Sequence, residues 1–532
     1  MKKVFIFLTI LLASALANAG VLDPGLASML SGMGPQDELS IIVHLRAQAD
    51  LTQFRPEQKA EMVAELHRVA DETQAPFLSR FAGKLKDVGR FWVFNGFVCT
   101  AAKQVIERLA GQPEVSFVSE NGEVAIPVVK AGSDPGVNTI EWNIIRVKAD
   151  SVWKARGYTG RDVVVGNIDT GVDVTHPAFG NRWRQQSGWF DAVNGQTTPY
   201  DDNGHGTFCM GIAVGGGGNI GDTIGVAPEA TFIAAKAFDS NGSGTYAWIL
   251  ACFQWYASLG NLAPVAINNS WGMGSRTDTT LWRPCRNLQL LGISLVVAVG
   301  GIPGRDSTVT VPSNYPCLFG VGASEGNSAR GPAPSGYPWD DSTSWLDPLW
   351  GPRQPLNHVK PDLVAPGSNI RSAYLNQGYT TMSGTSASAP HLTGAIALLK
   401  QKNPNLSPSQ LWQIIAPNCD TIPGGGSYPN YRYGWGRLNC LRAIDAAPSG
   451  VWQEPSTSIH PPTASIRAFP NPFVSYTSVP GQEAGRFALY DVSGRRVGVY
   501  KGDRVGADVP PGVYFLRPVG QNSRPLRVVK VR

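Results

Sequence analysis

The sequence predicts an α/β fold. A parallel sheet with helices on both faces is flanked by an N-terminal ferredoxin-like α+β domain and a C-terminal small β-sandwich. Three observations lead there. Across residues 161–445, apolar β-branched runs recur without polar alternation, and several feed helical segments, the pattern of strands buried on both faces. Residues 20–130 alternate strand-like and helix-like stretches in a smaller unit. Beyond a stretch rich in Pro, Ser and Thr, residues 464–532 alternate like short β-strands.

A chain of 532 residues is long enough for three or four domains at about 150 residues each. Gly and Pro together, 60 and 40 residues, are fewer than low-complexity disorder requires. Charge is uneven. Residues 450–532 hold 11 Lys/Arg against 5 Asp/Glu, while residues 20–449 sum to −3. A body this close to neutral has no electrostatic footprint for nucleic acid. A monomer is expected.

In chain order, residues 1–19 read as a secretory signal: Lys2 and Lys3, an apolar run, then Ala17-Asn18-Ala19 as an A-x-A cleavage site. Export permits disulfides, and of the seven cysteines Cys419 with Cys440 and Cys285 with Cys317 are candidate pairs. No Cys/His cluster has zinc spacing. In residues 20–130, IIVHL (41–45) reads as a strand and residues 56–88 as a helix, with Val63, Leu66, Ala70, Phe77, Phe81 and Leu85 at helical spacing. Then follow a strand at 91–98, a helix at 101–110 and a strand at 114–120. The larger unit, residues 141–447, takes its strands from 162–169, 231–238, 264–272, 294–301 and 318–324, and a helix from 246–259. Residues 326–358 read as a long surface loop. Residues 448–463 read as a linker, and 487–500 and 512–520 as strands of the last domain.

Three residues stand at strand-to-helix junctions, where such sheets place their chemistry. Asp169 ends an apolar strand before Thr170-Gly171. His205 lies between glycines in NGHGTFCMGIAVG (203–215). Ser386 opens an apolar helix in GTSASAPHLTGAIALL (384–399). Taken singly, they read as a helix cap, a core histidine and an N-cap. Jointly they supply a nucleophile, a base and an orienting acceptor, which a serine hydroxyl needs at neutral pH.

The order Asp, His, Ser, with IDTGVDVTHPAF, GHGTFCMG and GTSASAPH, resembles the subtilisin-like serine proteases, the subtilases; KPDLVAPG (360–367) matches as well. The family's order is itself a known example, so it is matched here. The resemblance implies that Asp169, His205 and Ser386 form a catalytic triad in a serine endopeptidase that needs no cofactor for its chemistry. It implies that the backbone of Ser270-Trp271-Gly272 pairs with an extended substrate. Cys209 resembles the cysteine of the proteinase K branch, and as a small buried residue it needs no other role. Many subtilases bind structural calcium, but no EF-hand-like spacing is present. One position departs. Where the family's Gly-Asn supplies an oxyanion-hole amide beside the Ser386 backbone, this chain has Gly300-Gly301. Gly301 favours a slow enzyme, or a degenerate subtilase kept as a binding protein. An α/β-hydrolase esterase fails on chain order and on the missing G-x-S-x-G elbow.

Residues 20–130 resemble the inhibitor I9-type propeptide, which implies a self-processed precursor whose propeptide inhibits it. FPNPF (469–473), LYDVSGRRV (489–497) and GVYFLR (512–517) resemble a type IX secretion sorting domain. That implies the secretion machinery as a partner and an extracellular or cell-surface location. A padding or binding domain, or a basic tail on anionic polymer, is the alternative.

Overall fold

Along the central strands of the large domain, neighbouring side chains enter two different cores. Val165, Phe232, Ala234, Ala266, Val296 and Ala298 join one apolar cluster, and Ile168, Ile233, Ala235, Ile267, Leu295 and Val297 join the other. A strand with two buried faces has no polar alternation to show, which explains the sequence pattern. In this computed structural model the described residues are 21–126, 140–216, 223–272, 278–300, 309–316, 318–324, 359–450, 474–479, 485–491, 495–519 and 526–531. The expected signal, the loop at 326–358 and most of the linker lie outside them.

The strands form a seven-stranded sheet in the order Leu363–Ala365, Phe319–Ala323, Ser294–Ala298, Ala266–Asn269, Val164–Asp169, Thr231–Lys236, Trp189–Asp191. Every neighbouring pair is parallel. From Val164–Asp169 the chain builds outward first on one side and then on the other. The carboxyl ends of Val164–Asp169 and Ala266–Asn269 therefore border the switch-point crevice where such sheets bind ligands. The helices His205–Val214 and Thr385–Lys402 cover one face; Tyr246–Ser258 and Trp282–Leu290 cover the other.

The N-terminal unit has strands in the order Val21–Leu22, Val115–Glu120, Glu38–Leu45, Gly96–Ala102, Lys86–Phe91, with helices Lys59–Ser79 and Lys103–Ala110 as the two crossovers. Without the short edge strand this is the β-α-β-β-α-β ferredoxin-like arrangement. Two local readings are corrected. The helix stops at Ser79, and its expected tail is a turn at 80–84 followed by the start of the strand Lys86–Phe91. The expected strand 91–98 is a hairpin turn: Phe91 ends one strand, Asn95 takes a left-handed φ of 47°, and Gly96 starts the next.

One face of this N-terminal sheet packs on its own helices through Ile41, Val43, Phe97 and Val118. The opposite face lies on the large domain: Ile42, Val93, Phe94, Val124 and Ile126 share a cluster with Ile249, Phe253 and Leu288. Polar contacts cross the same boundary. Gln254 accepts the Trp92 N–H at 2.7 Å, Asn287 Nδ2 donates to the Val93 carbonyl at 2.7 Å, and Thr280 Oγ1 donates to Ser119 Oγ at 3.0 Å.

The chain divides into two compact units between Trp452 and Gln453. Among the described residues the second unit is a single antiparallel sheet, Arg496–Lys501, Arg486–Tyr490, Gly512–Pro518, Leu526–Lys530. It has its own core around Phe487, Leu489, Leu516 and Val528. Of the two facing sheets a sandwich needs, the described residues supply one. No helix among them is long and apolar enough to cross a membrane.

Candidate active site

Asp169 is the last residue of its strand and is fully buried. Its Oδ1 accepts the Thr170 N–H at 2.8 Å and stands 2.7 Å from Nδ1 of His205. His205 is the first residue of its helix. It follows Gly204, whose φ of 98° is open to glycine and turns the chain sharply into the helix. Burial works most strongly against the imidazolium, but the charge and hydrogen bond of Asp169 together with the contacts of Cys209 exceed it and raise the His205 pKa well above the ordinary histidine value. His205 Nε2 has no hydrogen-bond partner, and this is the atom a serine proton would reach.

Ser386 is the second residue of the long helix Thr385–Lys402, and the helix dipole favours negative charge there. Its hydroxyl donates to the Ser270 carbonyl at 3.0 Å, and its own carbonyl accepts Ser270 Oγ at 2.9 Å and Cys209 Sγ at 3.5 Å. Cys209, one turn along the helix from His205, lies 3.8 Å from Nδ1. Ser386 is thus bound to the strand bordering the crevice and to the histidine helix.

Beneath the site runs a buried polar chain. Asn167 Nδ2 donates to the Gly206 carbonyl at 3.2 Å, and Asn268 Nδ2 donates to Asn167 Oδ1 at 3.2 Å and to Ser270 Oγ at 2.9 Å. This chain connects the first turn of the histidine helix to the serine. The sequence reading missed it because Asn167 and Asn268 sit inside runs read only as apolar strand.

The crevice is already filled by chain. Residues Glu123–Ala125 leave the N-terminal domain and pair antiparallel with Ser243–Thr245, with Val124 opposite Gly244. On the other side Ala125 bridges Gly272, and the Ile126 N–H donates to the Gly242 carbonyl at 2.8 Å. Of the expected substrate-pairing residues, Gly272 meets this strand and Ser270 meets Ser386. The Trp271 ring is buried against Phe238 and Phe253, so its side chain is core. The second cleft edge, Ser243–Thr245, was unread in the sequence; its signal is the Asn-Gly-Ser-Gly run before a helix.

Gly301 lies outside the described residues. Gly300 donates its N–H to Thr385 Oγ1 at 3.1 Å, which lays the end of its strand against the start of the serine helix. Asp169, His205 and Cys209 are the one close group of metal-ligating types among the described residues. Their donors suit a proton relay better than an ion: Asp169 Oδ1 is engaged with the histidine, and burial pushes the Cys209 thiol up, keeping it protonated. Cys419 and Cys440 are buried free thiols and not the expected pair, and Cys317 of the other expected pair lies outside the described residues.

The subtilase family profile matches residues 160–436 and the peptidase inhibitor I9 profile matches residues 40–127. Bacillopeptidase F of Bacillus subtilis (strain 168) is 32% identical over 435 residues, covering 74% of this chain and 29% of that protein. The minor extracellular protease Epr of the same organism is 30% identical, over 63% of this chain and 48% of its own length. Subtilisin E, also from that strain, is 30% identical over 69% of this chain and 84% of its own. The chain therefore spans less than half of the first two relatives. With the profile covering the parallel sheet and all three junction residues, the chain belongs to the subtilase family.

Proposed function

We propose that this protein is a secreted serine endopeptidase, made as a precursor that cuts and then inhibits itself. His205 takes the proton of Ser386 as Oγ attacks a peptide carbonyl. Asp169 holds the ring and stabilises the imidazolium. The tetrahedral adduct collapses to an acyl-enzyme as His205 returns the proton to the departing amine. Water, deprotonated by the same histidine, then frees the acid. The observation that carries this reading is the buried 2.7 Å contact between Asp169 and His205, whose outer nitrogen is left unpartnered. The strand Glu123–Ala125 supports self-inhibition, since it takes the main-chain hydrogen bonds a substrate would use. The names of Subtilisin E and the extracellular protease Epr agree with export and proteolysis. The C-terminal unit is assigned to sorting by the secretion machinery on its motifs alone. Gly301 points to slow turnover.

A fluorophosphonate probe tests the reading. Labelling of Ser386 after removal of the propeptide is expected, and Ser386→Ala should abolish both labelling and trimming. A folded, propeptide-free protein that takes no label would make the chain a degenerate subtilase.

A further inference from the structure

We infer that Asp201 is the positioning residue that locks Asp169 and His205 against each other, an inference that rests on their reading as a triad. Asp201 lies in the turn before the histidine helix, half-buried, and bridges Gly171 backbone to backbone. Its carboxylate accepts five hydrogen bonds. Oδ1 takes Thr170 Oγ1 at 2.9 Å, the Asn203 N–H at 3.1 Å and the Gly204 N–H at 2.8 Å. Oδ2 takes the Thr207 N–H at 2.9 Å and Thr207 Oγ1 at 2.7 Å. One donor side chain belongs to the residue after Asp169 and another to the second residue after His205. Thr170 closes the ring, since its Oγ1 also accepts the Gly206 N–H at 3.0 Å.

A helix start leaves its first N–H groups without intrahelical partners. Here Gly204, the N-cap residue, has no side chain to offer. The Gly206 and Thr207 donors are satisfied instead from Thr170 and Asp201, both fixed to the strand end that carries Asp169. The helix can therefore not shift along its axis without breaking bonds to that strand. Five donors fill the carboxylate, so nothing in it is left to meet a substrate. Its effect must pass through the Asp169–His205 contact.

Removing the clamp should loosen that contact. A looser contact stabilises the imidazolium less, so the histidine should titrate at lower pH, and the serine should be activated less. The cleft edges at Ser243–Thr245 and Gly272 make no hydrogen bond to Asp201, so ground-state binding should be spared. Asp201→Asn keeps the shape but turns an N–H2 toward one set of donors. Thr170→Val keeps the carboxylate and removes only the bridge.

The test compares wild type, Asp201→Asn and Thr170→Val, all expressed as the full chain. Active enzyme is counted by fluorophosphonate titration, so that incomplete processing is not scored as slow chemistry. Both variants should lose kcat by up to about 10²-fold, the scale of a small misplacement of reacting groups, with KM within about twofold. The acid limb of kcat/KM should move to lower pH. In an Asp169→Ala background Asp201→Asn should cost nothing further, because the groups act as one unit. A lowered Tm with unchanged kcat and unchanged acid limb in either variant would overturn the inference, as would full additivity with Asp169→Ala. Wild type that takes no label would instead overturn the triad reading.

Discussion

At the scale of single residues, the proposed mechanism makes the coupling of His205 to Asp169 set where activity turns on. As the proposed base, His205 must be neutral to accept the serine proton, and its contacts with Asp169 and Cys209 hold its pKa well above the reference of about 6.5. The acid limb of kcat/KM should therefore follow one proton with a midpoint above that reference. A pH profile on one peptide substrate checks this; a midpoint at or below 6.5 would mean that the buried carboxylate gives the imidazolium no net help. Gly301 is the second residue of consequence. A missing oxyanion donor costs about 10²–10³ in kcat, a magnitude measured in a member of this family. Gly301→Asn should raise kcat and leave KM nearly unchanged, because the added amide meets charge that develops only in the transition state. If the variant gains nothing on either an ester or an amide substrate, another group already fills the hole.

At the scale of elements, the strand Glu123–Ala125 is held by backbone pairing on both sides and by burial of Val124, which is 1% exposed. An aspartate there would bury a carboxylate in the apolar cluster that Val124 shares with Phe238, Tyr246 and Trp271, a cost of several kcal/mol if it stays unpaired. Val124→Asp should free the cleft, so that the intact precursor takes fluorophosphonate label before its propeptide is removed; equal protection in both chains would show that the strand is not the plug. Elements also show what the sequence could tell. The parallel strands and the three junction residues were legible because burial on both faces and glycine-bracketed polar residues leave a local trace. The Asn95-Gly96 turn was missed inside an aromatic run, although Asn-Gly is itself a hairpin signal. Asp201 was illegible for another reason. Its role depends on donors from two separate segments, and nothing local distinguishes it from Asp202.

At the scale of the whole molecule, the propeptide face that lies on the large domain carries an ionisable residue in an apolar setting. His44 sits 4.5 Å from the Phe94 ring and 5.6 Å from the Phe117 ring, centroid to centroid, and its Nε2 is unpartnered. Burial, helped by the charge of Arg283 on the large domain, lowers its pKa to about 3. The part of this shift that the large domain supplies, through Arg283 and the burial it adds, excludes a proton that the undocked state would bind. Docking strength should thus be complete above about pH 6.5 and weaken on acidification, by as much as about tenfold per unit until about pH 3. Sedimentation of the cleaved complex across that range measures it, and His44→Leu should flatten the dependence. A wild-type curve as flat as that of the variant would refute the assignment. The second unit has its own core. Removal of residues 453–532 should leave peptidase activity per labelled serine unchanged and abolish export. Normal appearance of the truncated chain in the medium of its native host would end the sorting proposal.

The two-sided use of the N-terminal sheet has a consequence for the order of assembly. A ribosome releases that domain first, and its strands pair over short stretches of chain. The seven parallel strands, by contrast, must be gathered from Val164 to Ala365, and distant pairing of this kind is slow. During that interval the exposed face around Ile42, Val93 and Phe94 is a finished template, and the helices Tyr246–Ser258 and Trp282–Leu290 can settle on it before their own sheet is complete. If the proposed self-processing holds, the first cut would then remove the scaffold on which the chain was assembled, leaving a mature chain that keeps its shape by the height of its unfolding barrier and not by any ready path back.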